Sequence, residues 1–248
     1  MAVLRHIIRS VADVFLERRC PVCGRFLRLA EDRLCLFCAA DLPQTWYWLL
    51  PRNPMADRFN ALLESFAASS LRYVFAAALF FYRSEAGYAA IPKALKYHAD
   101  YGLGRYYARM LGRRLAGAEA FRDVSVVIPV PLHPLRRWRR GYNQAEVLAR
   151  EVARALGATL RTDLLRRRRY TRTQTRLHGA AKARNVAAAF VLTRRARRLK
   201  ALDGAHVLLL DDVFTTGSTL AACFLALQPL FPSPECRISV ATLAVVKE

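Results

Sequence analysis

The second half of the chain alternates between continuous aliphatic runs and amphipathic stretches. One helix is predicted over NQAEVLAREVARALG (143–157), and a second is predicted to open at GSTL (217–220) and to run to about Leu227. Continuous aliphatic runs suit strands that are buried on both faces of a parallel sheet. Three such runs predict strands: VSVVIPVP (124–131), VLLLDD (207–212) and RISVATLAVV (237–246). The pattern predicts an α/β fold, with an open and mainly parallel sheet and flanking helices.

The first half of the chain contains shorter elements. Apolar residues from Leu4 to Phe15 recur at helical spacing and predict a short amphipathic helix. A strand is predicted at Ala76–Tyr82, followed by helices at Ala89–Tyr97 and Gly104–Leu115. These elements come before the predicted strands of the second half.

Four of the six cysteines form the array C-x2-C-x11-C-x2-C: Cys20, Cys23, Cys35 and Cys38. Two CxxC pairs can present four thiolates to one tetrahedral Zn²⁺, and a glycine after the first pair suits a tight turn. Two disulfides or a redox-active CxxC are the alternatives. A cytosolic chain disfavours structural disulfides, and a redox site needs only one pair. Four cysteine ligands leave no open coordination position, so the predicted zinc is structural. Cys223 and Cys236 are expected to be core residues.

The turn-rich segment PRNP (51–54) marks a predicted domain boundary. Residues 1–54 are expected to hold the N-terminal helix and a small zinc-ribbon-like module, and residues 55–248 a larger domain with its core at 124–248. The apolar stretch YVFAAALFFY (73–82) is shorter than the roughly 20 residues that cross a bilayer. The N-terminus lacks the apolar core and the cleavage site of a signal peptide. We therefore expect a cytoplasmic protein without membrane insertion.

The chain is strongly basic, and the excess charge is localised. Forty lysines and arginines against nineteen acids give a net charge of +21, and residues 131–200 contain 20 of these cations with only three acids. Three arginine runs stand out, at 136–140, 166–169 and 194–198, and Trp138 in the first run offers a ring on which a base could stack. Such a field attracts polyanions: nucleic acid, pyrophosphate-bearing metabolites or an acidic membrane surface.

The stretch VLLLDDVFTTGSTL (207–220) joins a buried strand to two acids and a loop of hydroxyls around a glycine. A Walker B strand would require a G-x-x-x-x-G-K-[ST] loop, which the sequence lacks, and GLGRYY (102–107) lacks the third glycine of a dinucleotide fingerprint. Ligands of open α/β sheets bind beyond the carboxyl ends of strands. A hydroxyl-rich loop at a helix N-terminus can hold a phosphate, and the two carboxylates fit ribose hydroxyls.

Val207–Thr219 resembles the thirteen-residue phosphoribosyl pyrophosphate (PRPP) signature of type I phosphoribosyltransferases. Beyond that signature, the chain has the two CxxC pairs and four further segments: LKYHAD (95–100), VIPVPLHP (127–134), RRGYNQAEVLA (139–149) and RTQTRLHGAAKARNVAAAF (172–190). In these features it resembles the ComF family, competence-associated proteins with an N-terminal zinc module. The resemblance implies a type I phosphoribosyltransferase-like fold.

The resemblance also implies roles for individual residues. Asp211 and Asp212 would act as catalytic carboxylates on the ribose 2′- and 3′-hydroxyls. The segment 166–185 would form a mobile hood, and Mg²⁺ would bind together with PRPP. The 5′-phosphate would be held by Thr215, Thr216, Gly217, Ser218 and Thr219. The pyrophosphate would meet the loop of Pro129, Val130, Pro131 and Leu132 and a set of cations: Arg140, Arg176, Lys182 and Arg184. Lys96 becomes a possible further site residue.

Two functions follow as hypotheses. The first is transfer of phosphoribose from PRPP to an acceptor that the sequence does not identify, in a protein associated with DNA uptake. The second is a non-catalytic competence protein whose basic surface binds single-stranded DNA. In that role it would work with partner proteins such as a helicase or a recombination mediator.

Overall fold

The computed structural model describes most of the chain: residues 18–66, 72–82, 87–97, 101–168, 189–198, 202, 204–231 and 236–247. The amphipathic helix predicted from Leu4 to Phe15 lies outside these residues. In chain order the described elements are α1 (Leu36–Ala40), α2 (Pro54–Glu64), β1 (Ala76–Tyr82), α3 (Ala90–Tyr97), α4 (Tyr101–Ala116), β2 (Val126–Pro129), α5 (Pro134–Arg140), α6 (Gln144–Leu156), β3 (Thr159–Leu160), β4 (Leu165–Arg167), β5 (Phe190–Leu192), β6 (His206–Phe214), α7 (Ser218–Leu227) and β7 (Arg237–Val246).

Five parallel strands form the central sheet, in the order β1-β7-β6-β2-β3. In its middle, Val127 of β2 pairs with Leu208 of β6, and Asp211 of β6 pairs with Thr242 of β7. Strands β4 and β5 form a separate antiparallel pair. The predicted α/β class with a mainly parallel sheet is confirmed. Because the strands are parallel, the loops that follow β1, β2, β6 and β7 all leave from the same edge of the sheet.

Side chains of β6 enter two separate cores, one on each face of the sheet. Leu208 and Leu210 pack in the core with α4 and α6, whereas Val207 and Leu209 pack in the core with α2 and α7. All four side chains are fully buried, and burial of an aliphatic side chain of this size stabilises the fold by roughly 1.5–3 kcal/mol. The uninterrupted aliphatic run is therefore explained by helices on both faces of the sheet.

Helix α4 begins earlier than predicted, at Tyr101 rather than at Gly104. Glycine is a poor helix former, so Gly102 and Gly104 weaken the local helix signal at this end. In the structure the glycines serve packing instead. A Cβ on Gly104 would lie 2.5 Å from a methyl carbon of Leu95, and a Cβ on Gly112 would lie 2.6 Å from Cβ of Ala155. The glycines let α3 and α6 approach α4 closely.

The cysteine-containing segment, residues 18–53, packs against the main sheet. Cys20, Cys35 and Cys38 belong to the core that contains α4 and α6, and Trp48 is 3% exposed in the same core. The chain then runs beside β1, where the amide of Phe81 donates to the carbonyl of Pro43 (2.8 Å). The division of the chain into two domains at residue 54 stays a prediction. None of the helices in the described part of the chain has the length and apolar character needed to span a bilayer.

Candidate functional site

A cavity of about 560 Å³ opens at the carboxyl edge of the sheet, where β6 and β2 end. Predicted site residues from three separate parts of the sequence line it: Val130, Pro131, Leu132, Arg140, Asp211, Asp212, Thr215 and Thr219. Pro129 ends β2 beside Leu210, directly before this group. Thr216, Gly217 and Ser218 form the turn between the two lining threonines. Arg176, Lys182 and Arg184 lie outside the described residues.

The two adjacent acids occupy different environments. The Asp212 side chain is nearly buried, and its Oδ2 lies 3.1 Å from Nζ of Lys96 and 3.4 Å from Nε2 of Gln144. Oδ1 of Asp211 accepts a hydrogen bond from the backbone amide of Asp212 (2.9 Å). Burial, together with the neighbouring carboxylate of Asp212, raises the pKa of Asp211 well above its usual range. The charge of Asp212 is therefore balanced by Lys96. A cation bound next to Asp211 would favour the ionised form of that carboxylate.

The loop after β6 is held in a shape suited to an anion. Gly217 has φ 76°, and a Cβ at this position would lie 2.8 Å from the ring of Phe214. The hydroxyls of Thr216 and Ser218 are 2.9 Å apart, and the guanidinium of Arg58 donates to the carbonyl of Thr215 (2.7 Å). The first backbone amides of α7 and these hydroxyls supply donors for a phosphate. Gly217 is required by its left-handed conformation and by its packing against Phe214.

The loop after β2 offers fewer backbone donors than its sequence suggests. The amide of Val130 donates to the carbonyl of Leu210 (2.9 Å) and so continues the sheet. Pro129 and Pro131 have no amide hydrogen. Leu132 is thus the residue of this four-residue loop whose amide can donate to a ligand.

Cations dominate the walls of the cavity. Lys93, Lys96 and Arg167 line it, together with Arg136 and Arg140 of α5. Burial, and next the nearby Arg136, lower the pKa of the Arg167 guanidinium, which remains a cation at neutral pH. A cavity with five cations and two acids suits a ligand that carries several negative charges.

Sequence reasoning singled out Arg140 in the basic run of α5 but not Arg136, which also lines the cavity. Arg136 and Arg140 are four residues apart and share one face of the helix. Arg137 instead pairs with Glu146 (3.4 Å), and Trp138 points outward with 80% of its surface exposed. The i, i+4 spacing from Arg140 was the signal that could have singled out Arg136.

Asn143 and Gln144 also line the cavity and were not predicted as site residues. They begin α6, and both side chains are buried. Their sequence looked like an ordinary helix start, since asparagine is a common N-cap residue. Only the tertiary structure brings them against β2 and β6.

The four predicted metal ligands lie together, with their sulfur atoms all within 4.8 Å of one another. Cys20 and Cys23 flank a turn in which the amide of Gly24 donates to the carbonyl of Cys20 (2.8 Å) and Gly24 has φ 74°. Sγ of Cys23 and Sγ of Cys35 are 3.6 Å apart, which is too far for a disulfide. The cluster could hold a metal ion, and four thiolates are a donor set that suits tetrahedral coordination. Of the remaining cysteines, Cys223 is a fully buried core residue, as predicted.

A serine–histidine–aspartate arrangement lies at the opposite, amino-terminal edge of the sheet. The imidazole of His206 is 2.7 Å from Oδ1 of Asp123 through Nδ1 and 2.8 Å from Oγ of Ser239 through Nε2. His206 and Ser239 are 2% and 1% exposed. Because no substrate can approach a serine buried to this degree, the arrangement ties the starts of β6 and β7 to the loop before β2.

Comparison with known proteins agrees with this geometry. The family described as "Phosphoribosyl transferase domain" matches residues 142–246, which include α6, β6 and the loop with the two acids. Residues 142–246 are therefore similar to a phosphoribosyl transferase domain. A crystal structure of adenine phosphoribosyltransferase superposes on 63% of this chain and 75% of that chain, with a TM-score of 0.36 and 16% sequence identity.

Two sequence relatives are similar to parts of the chain. The chain is 34% identical to Competence protein F of Haemophilus influenzae over 128 residues, which is 50% of this chain and 55% of that protein. It is 38% identical to the DNA utilization protein YhgH of Salmonella typhi over 95 residues, which is 38% of this chain and 39% of that protein. The match thus spans about half the length of the first relative and less of the second. These matches support the assignment of the chain to the ComF family.

Proposed function

We propose that the cavity binds PRPP together with Mg²⁺ and that the protein transfers its phosphoribosyl group to an acceptor. The observation that carries this proposal is the convergence of three groups at one edge of the sheet. These are the acids at 211–212, the hydroxyl loop at 215–219 and the loop at 129–132. A sugar with a phosphate at one end and a pyrophosphate at the other needs these three kinds of partner in one cavity.

Each part of the site has a distinct role in the proposed reaction. Asp211 and Asp212 face the ribose hydroxyls, and the loop at Thr215–Thr219 holds the 5′-phosphate with backbone amides and hydroxyls. Leu132 donates its amide to the pyrophosphate, and Arg140 contributes positive charge there. Cleavage of the bond between ribose C1 and pyrophosphate builds positive charge on the sugar and negative charge on the leaving group. Carboxylates near the first and cations near the second stabilise that transition state. Bound Mg²⁺ would neutralise part of the pyrophosphate charge.

Calorimetric titration of PRPP with Mg²⁺ tests the proposal. We expect binding to the wild-type protein and its loss in the folded double variant Asp211→Asn, Asp212→Asn. Asp163→Asn is the matched control, because Asp163 lies outside the cavity and pairs with Arg161 and Arg195. Equal PRPP affinity in the wild type and the double variant, or no binding to the wild type, would refute the proposal.

We also propose that the cysteine cluster binds structural zinc. Four thiolates in a CxxC pair array are typical of such sites, and zinc would bind there without an open position for a substrate. Metal analysis of the purified protein should find about one zinc ion per chain. Cys23→Ser should lose it, since Cys23 contributes one ligand of the cluster. Cys236→Ser, a change at a half-buried cysteine outside the cluster, should retain it. Another metal, or zinc retained in both variants, would contradict this assignment.

A second candidate function is binding of single-stranded DNA, and the exposed ring of Trp138 favours it. A tryptophan with 80% of its surface exposed is uncommon in a folded domain, and this one stands among arginines on α5. Aromatic rings beside cations stack bases with little sequence preference. Trp138→Ala should weaken binding of a labelled oligonucleotide, and the wild-type affinity should fall steeply with salt. Trp46→Ala is the matched control, because Trp46 is half exposed on the cysteine segment. If both substitutions weaken oligonucleotide binding equally, α5 is not a specific site for single-stranded DNA.

The association with DNA uptake is proposed from the family and from the names of the relatives. A helicase and a recombination mediator remain the proposed protein partners, and a cytoplasmic location remains a prediction. Co-purification of tagged protein with each candidate partner, in a strain that takes up DNA, tests the partner proposal.

A further inference from the structure

The turn between α5 and α6, residues 140–144, contacts three elements that line the proposed PRPP cavity: α3, the loop after β2 and the end of β6. Gly141 makes the chain reversal possible, with φ 81° and an amide that donates to the carbonyl of Arg137 (2.7 Å). The other four residues of this α5–α6 turn each send a side chain to a different partner. A movement of one element that lines the cavity can therefore be passed through this turn to another.

Two of the contacts hold backbone carbonyls near the cavity. The Tyr142 hydroxyl donates to the carbonyl of Leu95, in the helix that carries Lys96. Nδ2 of Asn143 donates to the carbonyl of Val130 in the proposed pyrophosphate loop (3.0 Å). The side-chain oxygen of Asn143 also caps α6 by accepting from the amide of Ala145 (3.2 Å). Helix α3, the loop after β2 and the start of α6 are thereby fixed to one turn.

Gln144 makes the two contacts that matter most for the ligand. Its Oε1 accepts from the guanidinium of Arg140 (2.5 Å), and its Nε2 points to Oδ2 of Asp212 (3.4 Å). The same Asp212 oxygen pairs with Lys96 (3.1 Å). The Gln144 side chain is 7% exposed, so its amide has few alternative partners. One planar amide thus connects a cation on the proposed pyrophosphate side to a carboxylate on the proposed ribose side.

We propose that Gln144 is a positioning residue that couples the two halves of the ligand site. This inference rests on the proposed function. A ligand that orders Arg140 also orders the Gln144 amide, and this amide orients Asp212 towards the ribose. Coupling between two binding sites is reciprocal, so a ligand that orders Asp212 also favours binding at Arg140. Without this connection, pyrophosphate and ribose 5-phosphate would oppose each other, since both are anions in one cavity.

The experiment measures the affinity for pyrophosphate and for ribose 5-phosphate, each alone and in the presence of the other, with Mg²⁺ throughout. In the wild type we expect each ligand to tighten the other by about fivefold or more, the usual range for coupled sites. In Gln144→Leu both ligands should still bind, but the coupling should vanish or change sign. Gln144→Glu keeps an acceptor for Arg140 and places a second carboxylate beside Asp212. It should bind pyrophosphate and lose the coupling.

The matched control is Gln44→Leu. Gln44 also accepts from an arginine, with Nη2 of Arg114 at 3.4 Å, but it lies on the cysteine segment outside the cavity. This variant should keep the wild-type coupling. Unfolding curves identify any variant that does not fold, and Gln144→Glu carries the test if Gln144→Leu fails.

Three results would overturn the inference, and they are distinguishable. If the wild type binds neither ligand nor PRPP, the proposed function fails and the inference fails with it. If the wild type binds PRPP and both fragments but shows no coupling, only the inference fails. The same holds if coupling persists in the folded Gln144 variants.

Discussion

Acidification should destabilise the protein through His206, whose buried imidazole is held in its neutral form. Burial lowers the pKa of His206 from 6.5 to about 4. Asp123 is 2.7 Å away and favours the charged imidazole, but it is 45% exposed and also pairs with Arg237, so burial dominates. In the neutral form Nδ1–H donates to Asp123 while Nε2 accepts from the hydroxyl of Ser239, so both ring nitrogens are satisfied.

The pKa difference sets the direction and the size of the effect. Above pH 6.5 the imidazole is neutral in both the folded and the unfolded state, and the fold has its full stability from this site. Between pH 6.5 and about 4 the unfolded state binds a proton that the folded state does not, so the free energy of unfolding falls as the pH falls. At about 1.4 kcal/mol for each pH unit, the total loss is ~3 kcal/mol. Below about pH 4 this contribution changes no further.

The assay is urea-induced unfolding at a series of pH values, for the wild type and for His206→Asn. The asparagine amide can still donate to Asp123 but does not titrate. Groups remote from this site titrate equally in both proteins, so the difference between their pH profiles reports on His206 and its direct contacts. We expect the variant to be less stable at neutral pH and to approach the wild type by ~3 kcal/mol as the pH falls through this window. Parallel profiles for the two proteins would refute the reasoning.

Three substitutions test the packing around the cavity and the core. Gly217→Ala should destabilise the fold by more than the roughly 1–2 kcal/mol of a left-handed alanine, because the new methyl also meets the ring of Phe214; an unchanged melting temperature would contradict the required φ. Lys96→Met leaves the nearly buried carboxylate of Asp212 without its cation and should cost about 1–3 kcal/mol in urea unfolding; the interpretation fails if stability rises. Gly112→Ala should lower the melting temperature, because it forces α4 away from α6; a gain would show that helix propensity outweighs the close contact.

The sequence predicted those elements whose pattern of apolar residues lies within the element itself. Strand β7 and strand β1 begin and end where their aliphatic runs predicted, and α6 ends at Leu156 with Gly157 as its C-cap, at φ 66°. The hydroxyl loop was predicted as well, since its residues are contiguous with β6. Helix α4 was predicted too short, because the role of its glycines depends on neighbouring helices that a local pattern does not contain.

The roles of Asn143, Gln144 and Val130 in the cavity were harder to predict than the loop that follows β6. Gln144 and Asn143 acquire their roles only after Gly141 reverses the chain and brings α6 against β2 and β6. The loss of the Val130 amide as a ligand donor depends on its hydrogen bond to Leu210, which is a property of strand pairing. Long-range contacts of this kind leave no periodic signal in a single sequence.

The position of the cysteine segment bears on the behaviour of the protein in concentrated solution. Strand β1 is the outermost strand of the sheet on its side, and such an edge is a template for pairing with another chain. Residues 43–45 cover it, through the hydrogen bond from Phe81 to Pro43 and one from the amide of Thr45 to Leu79 (3.2 Å). We expect that stripping the proposed metal with a chelator would loosen this cover and expose an aliphatic edge. Light scattering should then detect self-association before circular dichroism detects loss of the sheet.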